Sequence, residues 1–289
     1  MVNRLIRTLA GLYSRLPVKP FRGVLSRLFQ KYRTPSRNRV VIAKVDGITC
    51  QLDLNEMIDS SIYYDGCFEP MTTAFINRYV KPGMTVLDIG ANIGCHALRL
   101  AKLVGEAGKV ITFEPMSWAF AKLKTNIELN DFNNIILEKL ALSNIIERKP
   151  AYFRTSWTPD NQSSPNSKNS EDVDFLTLDK YVSINNIDKI DFIKLDVDGY
   201  EYKVISGGRE TIKEFKPIMI VELGKYTLRK YGDSLQELIK LLASLGYSFY
   251  SEGDLKQYKN KESLLSAVPL DSTVNVLCKP KVAKNEDYI

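Results

Sequence analysis

Nine residues, Val86-Leu87-Asp88-Ile89-Gly90-Ala91-Asn92-Ile93-Gly94, run from an apolar strand pattern through a glycine-bearing turn into a helix pattern. Gly90 allows a tight turn with no Cβ in the way, and Gly94 allows close packing of helix on strand. The helix start offers unpaired amides to an anionic group. The spacing is G-x-x-x-G rather than the G-x-G-x-x-G of dinucleotide sites, and Asp88 stands where it would repel a pyrophosphate. Such a pocket suits a ligand that carries an ammonium group beside a carboxylate, as S-adenosylmethionine does. Glu114 closes the next strand, 24 residues after Gly90, where an acid can accept hydrogen bonds from two ribose hydroxyls.

A second set of groups can move a proton. Asp196 and Asp198 end a later apolar strand, Glu201 follows them, and His96 sits just inside the helix after the glycine turn. A carboxylate or imidazole within hydrogen-bond reach of an acceptor hydroxyl can take its proton, so His96, Asp196, Asp198 and Glu201 are the catalytic candidates. Asp196 and Glu222 could instead share a divalent cation, but two carboxylates are an incomplete ligand set and no metal site is assigned. Cys50, Cys67, Cys95 and Cys278 are widely spaced, with no C-x-x-C pair and one histidine in the chain, which argues against a structural zinc or a disulfide framework.

The elements that must position these groups alternate. Strand patterns at 84–89, 109–113, 135–142, 190–197 and 217–223 are interleaved with helix patterns at 93–104 and 117–129. A further helix starts at Ser234, whose capping box closes on Glu237, and stops at Gly246. Residues 247–251 and 272–278 read as an antiparallel pair. This order predicts an α/β fold with a mostly parallel sheet and helices on both faces, with ligands at the carboxyl ends of the strands. Ahead of it, residues 40–54 form a hairpin pattern that turns at Asp46-Gly47. A polar insertion at about 150–175 breaks the rhythm: 11 of the 17 residues from 156 to 172 are Ser, Asn, Pro or Gln. It is expected to be a substrate-facing flap.

Composition supports a globular protein: of 289 residues, 44% are hydrophobic and 26% charged. The net charge of +6 is unevenly divided. Residues 1–39 carry ten Lys and Arg and no acid, which leaves 30 bases against 34 acids, a net −4, for residues 40–289. The basic head shows two amphipathic helix patterns, at 2–16 and 21–29, and is expected to make peripheral contact with an anionic membrane. No apolar run is long enough to span a bilayer, so a cytoplasmic-facing, possible membrane-peripheral protein with reduced thiols is expected.

Taken together, Asp88-Ile-Gly-Ala-Asn-Ile-Gly94, Phe113-Glu-Pro115, Asn126 with Asn130, Ala141-Leu-Ser143 and Asp191-Phe-Ile-Lys-Leu-Asp-Val-Asp-Gly-Tyr-Glu201 resemble the FkbM family of class I S-adenosylmethionine-dependent methyltransferases. The resemblance spans about residues 63–224 and includes Tyr63-Tyr64-x-Gly66-x-x-Glu69-Pro70. It implies a Rossmann-like domain at 70–289 with a seven-stranded sheet, preceded by an extension at 1–69 of basic helices and a hairpin. It implies S-adenosylmethionine contacts from Glu69, Asp88, Gly90, Asn92, Gly94, Glu114, Pro115 and Asp196, with the adenine near Leu140 and Ala141. It also implies methylation of a hydroxyl on a carbohydrate, glycolipid or other secondary metabolite. Asp198 stands where the family more often has glutamate, and Cys95-His96 falls at a variable place.

Tyr63, Tyr64, Trp118, Tyr152 and Trp157 could stack on a sugar face. One alternative is an RNA ribose methyltransferase. Base-amine methylation uses an Asn/Asp-Pro-Pro-aromatic turn where this chain has Asp196-Val-Asp-Gly199, so a nucleic-acid acceptor is disfavoured. The other alternative is a non-catalytic cofactor-binding protein at a membrane surface.

Overall fold

The site is set by a sheet whose strands are apolar on both sides. In the computed structural model, which describes residues 40–152 and 170–281, seven strands form that sheet. A hairpin of β1 (Val40–Val45) and β2 (Ile48–Asp53) comes first, turning at Asp46-Gly47 as expected. Helices α1 (Met57–Asp65) and α2 (Pro70–Tyr79) lead to β3 (Thr85–Ile89), α3 (Ala97–Val104), β4 (Lys109–Phe113), α4 (Ser117–Glu128) and β5 (Ile135–Glu138). Three short strands follow, β6 (Ala141–Ser143), β7 (Glu147–Tyr152) and β8 (Ser170–Thr177), and form a separate sheet in the order β6-β8-β7. The chain then returns through α5 (Leu178–Ile184), β9 (Phe192–Leu195), α6 (Glu201–Gly207), α7 (Arg209–Phe215), β10 (Ile218–Gly224), α8 (Lys225–Lys230) and α9 (Leu235–Ser244). It ends with β11 (Tyr247–Ser251), α10 (Lys261–Ala267) and β12 (Thr273–Pro280).

The main sheet has the order β11-β12-β10-β9-β3-β4-β5. Only β12 runs against its neighbours, so the tail pair is antiparallel and the rest is parallel. Alternate side chains feed two cores. Leu87, Ile89, Ile111, Phe113, Ile193 and Leu195 belong to one face, and Val86, Val110, Phe192 and Ile220 to the other. Burial on both faces is why these strands read as continuous apolar runs. Connections leave β3 toward β4 on one side, while β9 lies on the other, so the chain order reverses beside β3. That reversal opens a crevice at the carboxyl ends of β3 and β9.

Three expectations are corrected. The helix pattern at 93–104 begins at Ala97, because Asn92 (φ 50) and Gly94 (φ 93) hold the preceding segment in a left-handed turn. The run at 135–142 is two strands in different sheets: β5 pairs β4 only from Ile135 to Glu138, after which Leu140 turns inward to pack on the core. The polar insertion has strand stems, since β7 and β8 pair as an antiparallel ladder from Glu147 with Phe175 to Tyr152 with Ser170. The expected flap, with Trp157, falls at 153–169, and the basic segment at 1–39; both lie outside the described residues. No helix among the described residues is long and apolar enough to cross a membrane.

The hairpin is tied to the body by two asparagines of the α4 segment. Asn126 Oδ1 accepts from the Gln51 amide at 2.8 Å and its Nδ2 donates to the Ile93 carbonyl at 3.0 Å. Asn130 grips Thr49 in both directions, at 2.9 and 2.8 Å. Ile48, Cys50 and Leu52 pack beneath, against Ile93 and Leu98. Replacing Asn126 by Leu orphans an amide and a carbonyl next to the glycine turn and is expected to destabilise the protein by about 2–4 kcal/mol. Urea unfolding measures this, and a loss within about 0.5 kcal/mol would show that the contacts carry no weight.

Candidate functional site

The glycine turn fits against β9 with no room for a side chain. A Cβ on Gly90 (φ +85) would lie 1.8 Å from the Asp196 carbonyl oxygen, and one on Gly94 would lie 2.4 Å from Leu123 of α4. Both glycines therefore serve close approach, as their spacing suggested. Below the turn, Asp88 is fully buried and neither carboxylate oxygen has a hydrogen-bond partner. Burial pushes its pKa up, and the nearby Lys194 partly offsets this. Glu114, at the end of β4, accepts from the Asn92 amide with one oxygen and the Met116 amide with the other, both at 2.9 Å. Burial outweighs those two bonds and lifts its pKa to about 7. The Asn92 side-chain oxygen is also buried without a partner.

Lys194, in the middle of β9, is 4% exposed. Its ammonium lies 3.0 Å from Asp196 Oδ2, 3.3 Å from the Gly90 carbonyl and 3.9 Å from Asp88 Oδ1. Burial works against its charge, but Asp196, Asp88 and Glu69 more than compensate and raise its pKa. Lys194 was not singled out from the sequence, although a lysine inside Phe192-Ile-Lys-Leu195, a strand buried along its length, was the signal. Glu222 on β10 is pushed up to about 9, first by burial and then by Asp196, while the Thr273 hydroxyl donates to it at 2.6 Å.

The other anticipated residues divide by position. Asp196 follows β9, hydrogen-bonded to Lys194 and about one-quarter exposed on its side chain. Asp198 is exposed in the next turn with φ 53. Glu201 is buried, and its Oε1 accepts from the Val197 and Gly199 amides at 3.0 and 3.2 Å, which ties down that turn. His96 caps α3, buried, with Nε2 3.1 Å from Glu69 Oε2. Burial opposes the imidazolium, but Cys95 and Glu69 outweigh it and push His96 up to about 10, and the same pairing holds Glu69 below its usual range despite burial.

Pro115 follows Glu114 directly, and Leu140 and Ala141 follow β5 beside it, since Phe113 and Glu138 pair across β4 and β5. Trp118 and Tyr63 are partly buried and pack on the hairpin core. An unanticipated aromatic group lies beside the Asp198 turn: Phe175 stacks on Tyr200 with centroids 5.8 Å apart, and Tyr231 meets Tyr200 edge-on at 4.4 Å.

Sheet order, glycine turn and strand-end acids together place the protein among the Rossmann-like class I methyltransferases. The chain belongs to the FkbM methyltransferase family: the family model described as the methyltransferase FkbM domain matches residues 88–249, more than half of it. The 2-O-methyltransferase NoeI of Sinorhizobium fredii is 26% identical over 208 residues, covering 63% of this chain and 82% of that protein. A protein-L-isoaspartate O-methyltransferase of Methanococcus maripaludis is 38% identical over 53 residues, 18% of this chain and 25% of that protein.

Among solved structures, a methyltransferase FkbM from Methylobacillus flagellatus aligns at 15% identity and TM-score 0.43, over 72% of this chain and 50% of that one. An O-methyltransferase from Bacillus cereus, solved with SAH, aligns at 15% identity and TM-score 0.45, over 74% and 82%. The protein is an S-adenosylmethionine-dependent methyltransferase. Its residues fit that cofactor: the bare oxygens of Asp88 and Asn92 want donors, and each Glu114 oxygen has lone-pair capacity left for a hydroxyl.

Glu201 gives a pH test of this buried acidity. Its pKa is lifted by burial from 4.5 to about 7, so it favours the folded state below the unfolded value and withdraws that support as pH rises through about 7. Glu201→Gln keeps an acceptor for the two amides and removes the titration. Denaturant unfolding should show the unaltered protein losing stability between about pH 4.5 and about 7 by an amount on the order of 3 kcal/mol more than the variant. Parallel profiles would show that Glu201 does not carry this titration.

Proposed function

We infer that the protein transfers a methyl group to a hydroxyl oxygen of a carbohydrate, free or borne by a larger metabolite or lipid. The observation that carries this reading is the seating of Asp196. Its backbone packs on the Gly90 turn while its carboxylate, held by Lys194, stays partly open to solvent. A proton acceptor is thereby fixed against the edge of the cofactor turn. The 2-O-methyltransferase named among the relatives, of which 82% is covered, supports oxygen as the atom methylated.

Asp88 would hold the cofactor's ammonium group, the amides after the turn its carboxylate, and Glu114 its ribose hydroxyls, with Pro115, Leu140 and Ala141 around the adenine. When bound, S-adenosylmethionine supplies an electrophilic methyl group on a sulfonium. The chain's share is to align the acceptor oxygen and to receive its proton on Asp196. His96, paired as an imidazolium with Glu69, has no proton-accepting capacity in that state. It serves this reading as a fixed ion pair that closes the crevice.

A transfer screen with labelled cofactor, read by mass spectrometry, should label carbohydrates among sugar nucleotides, free glycans, lipid-linked glycans and RNA. Labelling of RNA alone would replace the carbohydrate reading with the ribose one. Asp196→Asn should lower kcat by about 10²–10⁴-fold and leave cofactor Kd within about threefold, because general-base removal acts on the chemical step. Glu114→Ala should instead weaken cofactor binding by about tenfold or more in calorimetry. An Asp196→Asn enzyme with ordinary kcat, or a Glu114→Ala protein with ordinary affinity, would remove the corresponding assignment.

A further inference from the structure

Asp88 presents a problem that the cofactor reading alone does not solve. Both of its oxygens are buried without a hydrogen-bond donor, and a carboxylate in that position is strongly driven to take up a proton. A neutral acid would be a poor partner for an ammonium group. Acids face it from several elements: Asp196 after β9 and Glu69 before α2 repel it, Glu114 after β4 is close enough to interact with it, and Glu222 on β10, mostly neutral with its pKa lifted to about 9, interacts with Asp196. His96 before α3 favours the anion, but it is already hydrogen-bonded to Glu69.

Lys194 is the cation built into this position. Asp88 and Lys194 are direct partners in the parallel register of β3 and β9, so the backbone delivers the ammonium beside the carboxylate. The 3.9 Å separation is long for a hydrogen bond but within the reach of an ion pair. Its hydrogen bonds go elsewhere, to the Gly90 carbonyl and to Asp196, so it neutralises Asp88 without occupying the directions in which Asp88 can accept.

We propose that Lys194 is a positioning residue for the cofactor: it keeps Asp88 an anion while leaving its oxygens bare to receive the cofactor's ammonium group. The proposal rests on the assignment of Asp88 to the cofactor site. Burial raises Asp88 and Lys194 lowers it, so loss of the lysine charge should drive Asp88 further toward its protonated form in the unliganded protein. Binding must then expel that proton, and affinity must climb with pH, by up to about tenfold per unit.

Titration calorimetry with S-adenosylhomocysteine, which keeps the ammonium, carboxylate and ribose but cannot transfer a methyl group, reads this without an acceptor. Between about pH 6.5 and about 8.5, Lys194→Met should bind about tenfold or more weakly than the unaltered protein at the acid end, with the deficit narrowing as pH rises. Lys194→Arg should stay within about threefold throughout, since it keeps the charge. Lys194 also lowers Glu114, which titrates in this window, so the comparison is repeated in a Glu114→Gln background, where a surviving pH-dependent deficit belongs to Asp88. A Lys194→Met deficit that is constant across the range, or no deficit, overturns the proposal. If Lys194→Met does not fold, Lys194→Gln, which retains a donor for Gly90 and carries no charge, is read in the same way. Asp88→Asn separates the two levels: binding as tight as the unaltered protein overturns the assignment of Asp88 and with it the proposal, whereas a loss in Asp88→Asn with none in Lys194→Met overturns the role of Lys194 alone.

Discussion

The register of two adjacent parallel strands, β3 and β9, sets the chemistry of this methyltransferase, because it places Lys194 beside Asp88 in the middle of a sheet covered on both faces. A single ammonium in that place counters acids that arrive from several elements: Asp88, Asp196 and Glu69 all act on it. Without it, the crevice would hold several carboxylates in a medium that resists charge, and they would be largely protonated. A sheet with β9 slipped by one residue would send the lysine to the opposite face and the acids would lose their counter-ion.

Close packing turns this electrostatic arrangement into a shaped site. Gly90 lets the turn after β3 rest on the Asp196 carbonyl, so the cofactor side and the proton-accepting side share one contact. Glu201 holds the 197–199 turn by two backbone amides, and Asn126 clamps the Ile93 carbonyl to the hairpin strand β2. The hairpin is therefore part of the support for the glycine turn. The first face of the sheet is filled by Leu87, Ile89, Ile193 and Leu195, which leaves the strand ends as the place where polar groups can gather.

Much of this was legible in the sequence because local rules dominate there. The five central parallel strands, the Asp46-Gly47 hairpin, the Ser234 cap and the antiparallel tail pair follow from apolar runs and turn residues, and Asp88, Gly90 and Glu114 follow from their places at strand ends. What was not legible depends on partners distant in sequence. The break between β5 and β6 comes from the short reach of β4 and the pull of a second sheet. The pairing of His96 with Glu69, 27 residues away, bears on its role as a base and has no sequence signature. Lys194 was visible as a charge inside an apolar strand, but its meaning comes only from the neighbouring strand. The aromatics named from the sequence include Trp118 and Tyr63, which the hairpin core absorbs.

A crystal structure of the protein with S-adenosylhomocysteine should show the ligand's amino nitrogen within about 3 Å of an Asp88 oxygen, its ribose hydroxyls on Glu114, and Lys194 still bridging Gly90 and Asp196 behind them. A ligand whose amino nitrogen lies away from Asp88, with Lys194 turned to fill that place, would contradict this arrangement.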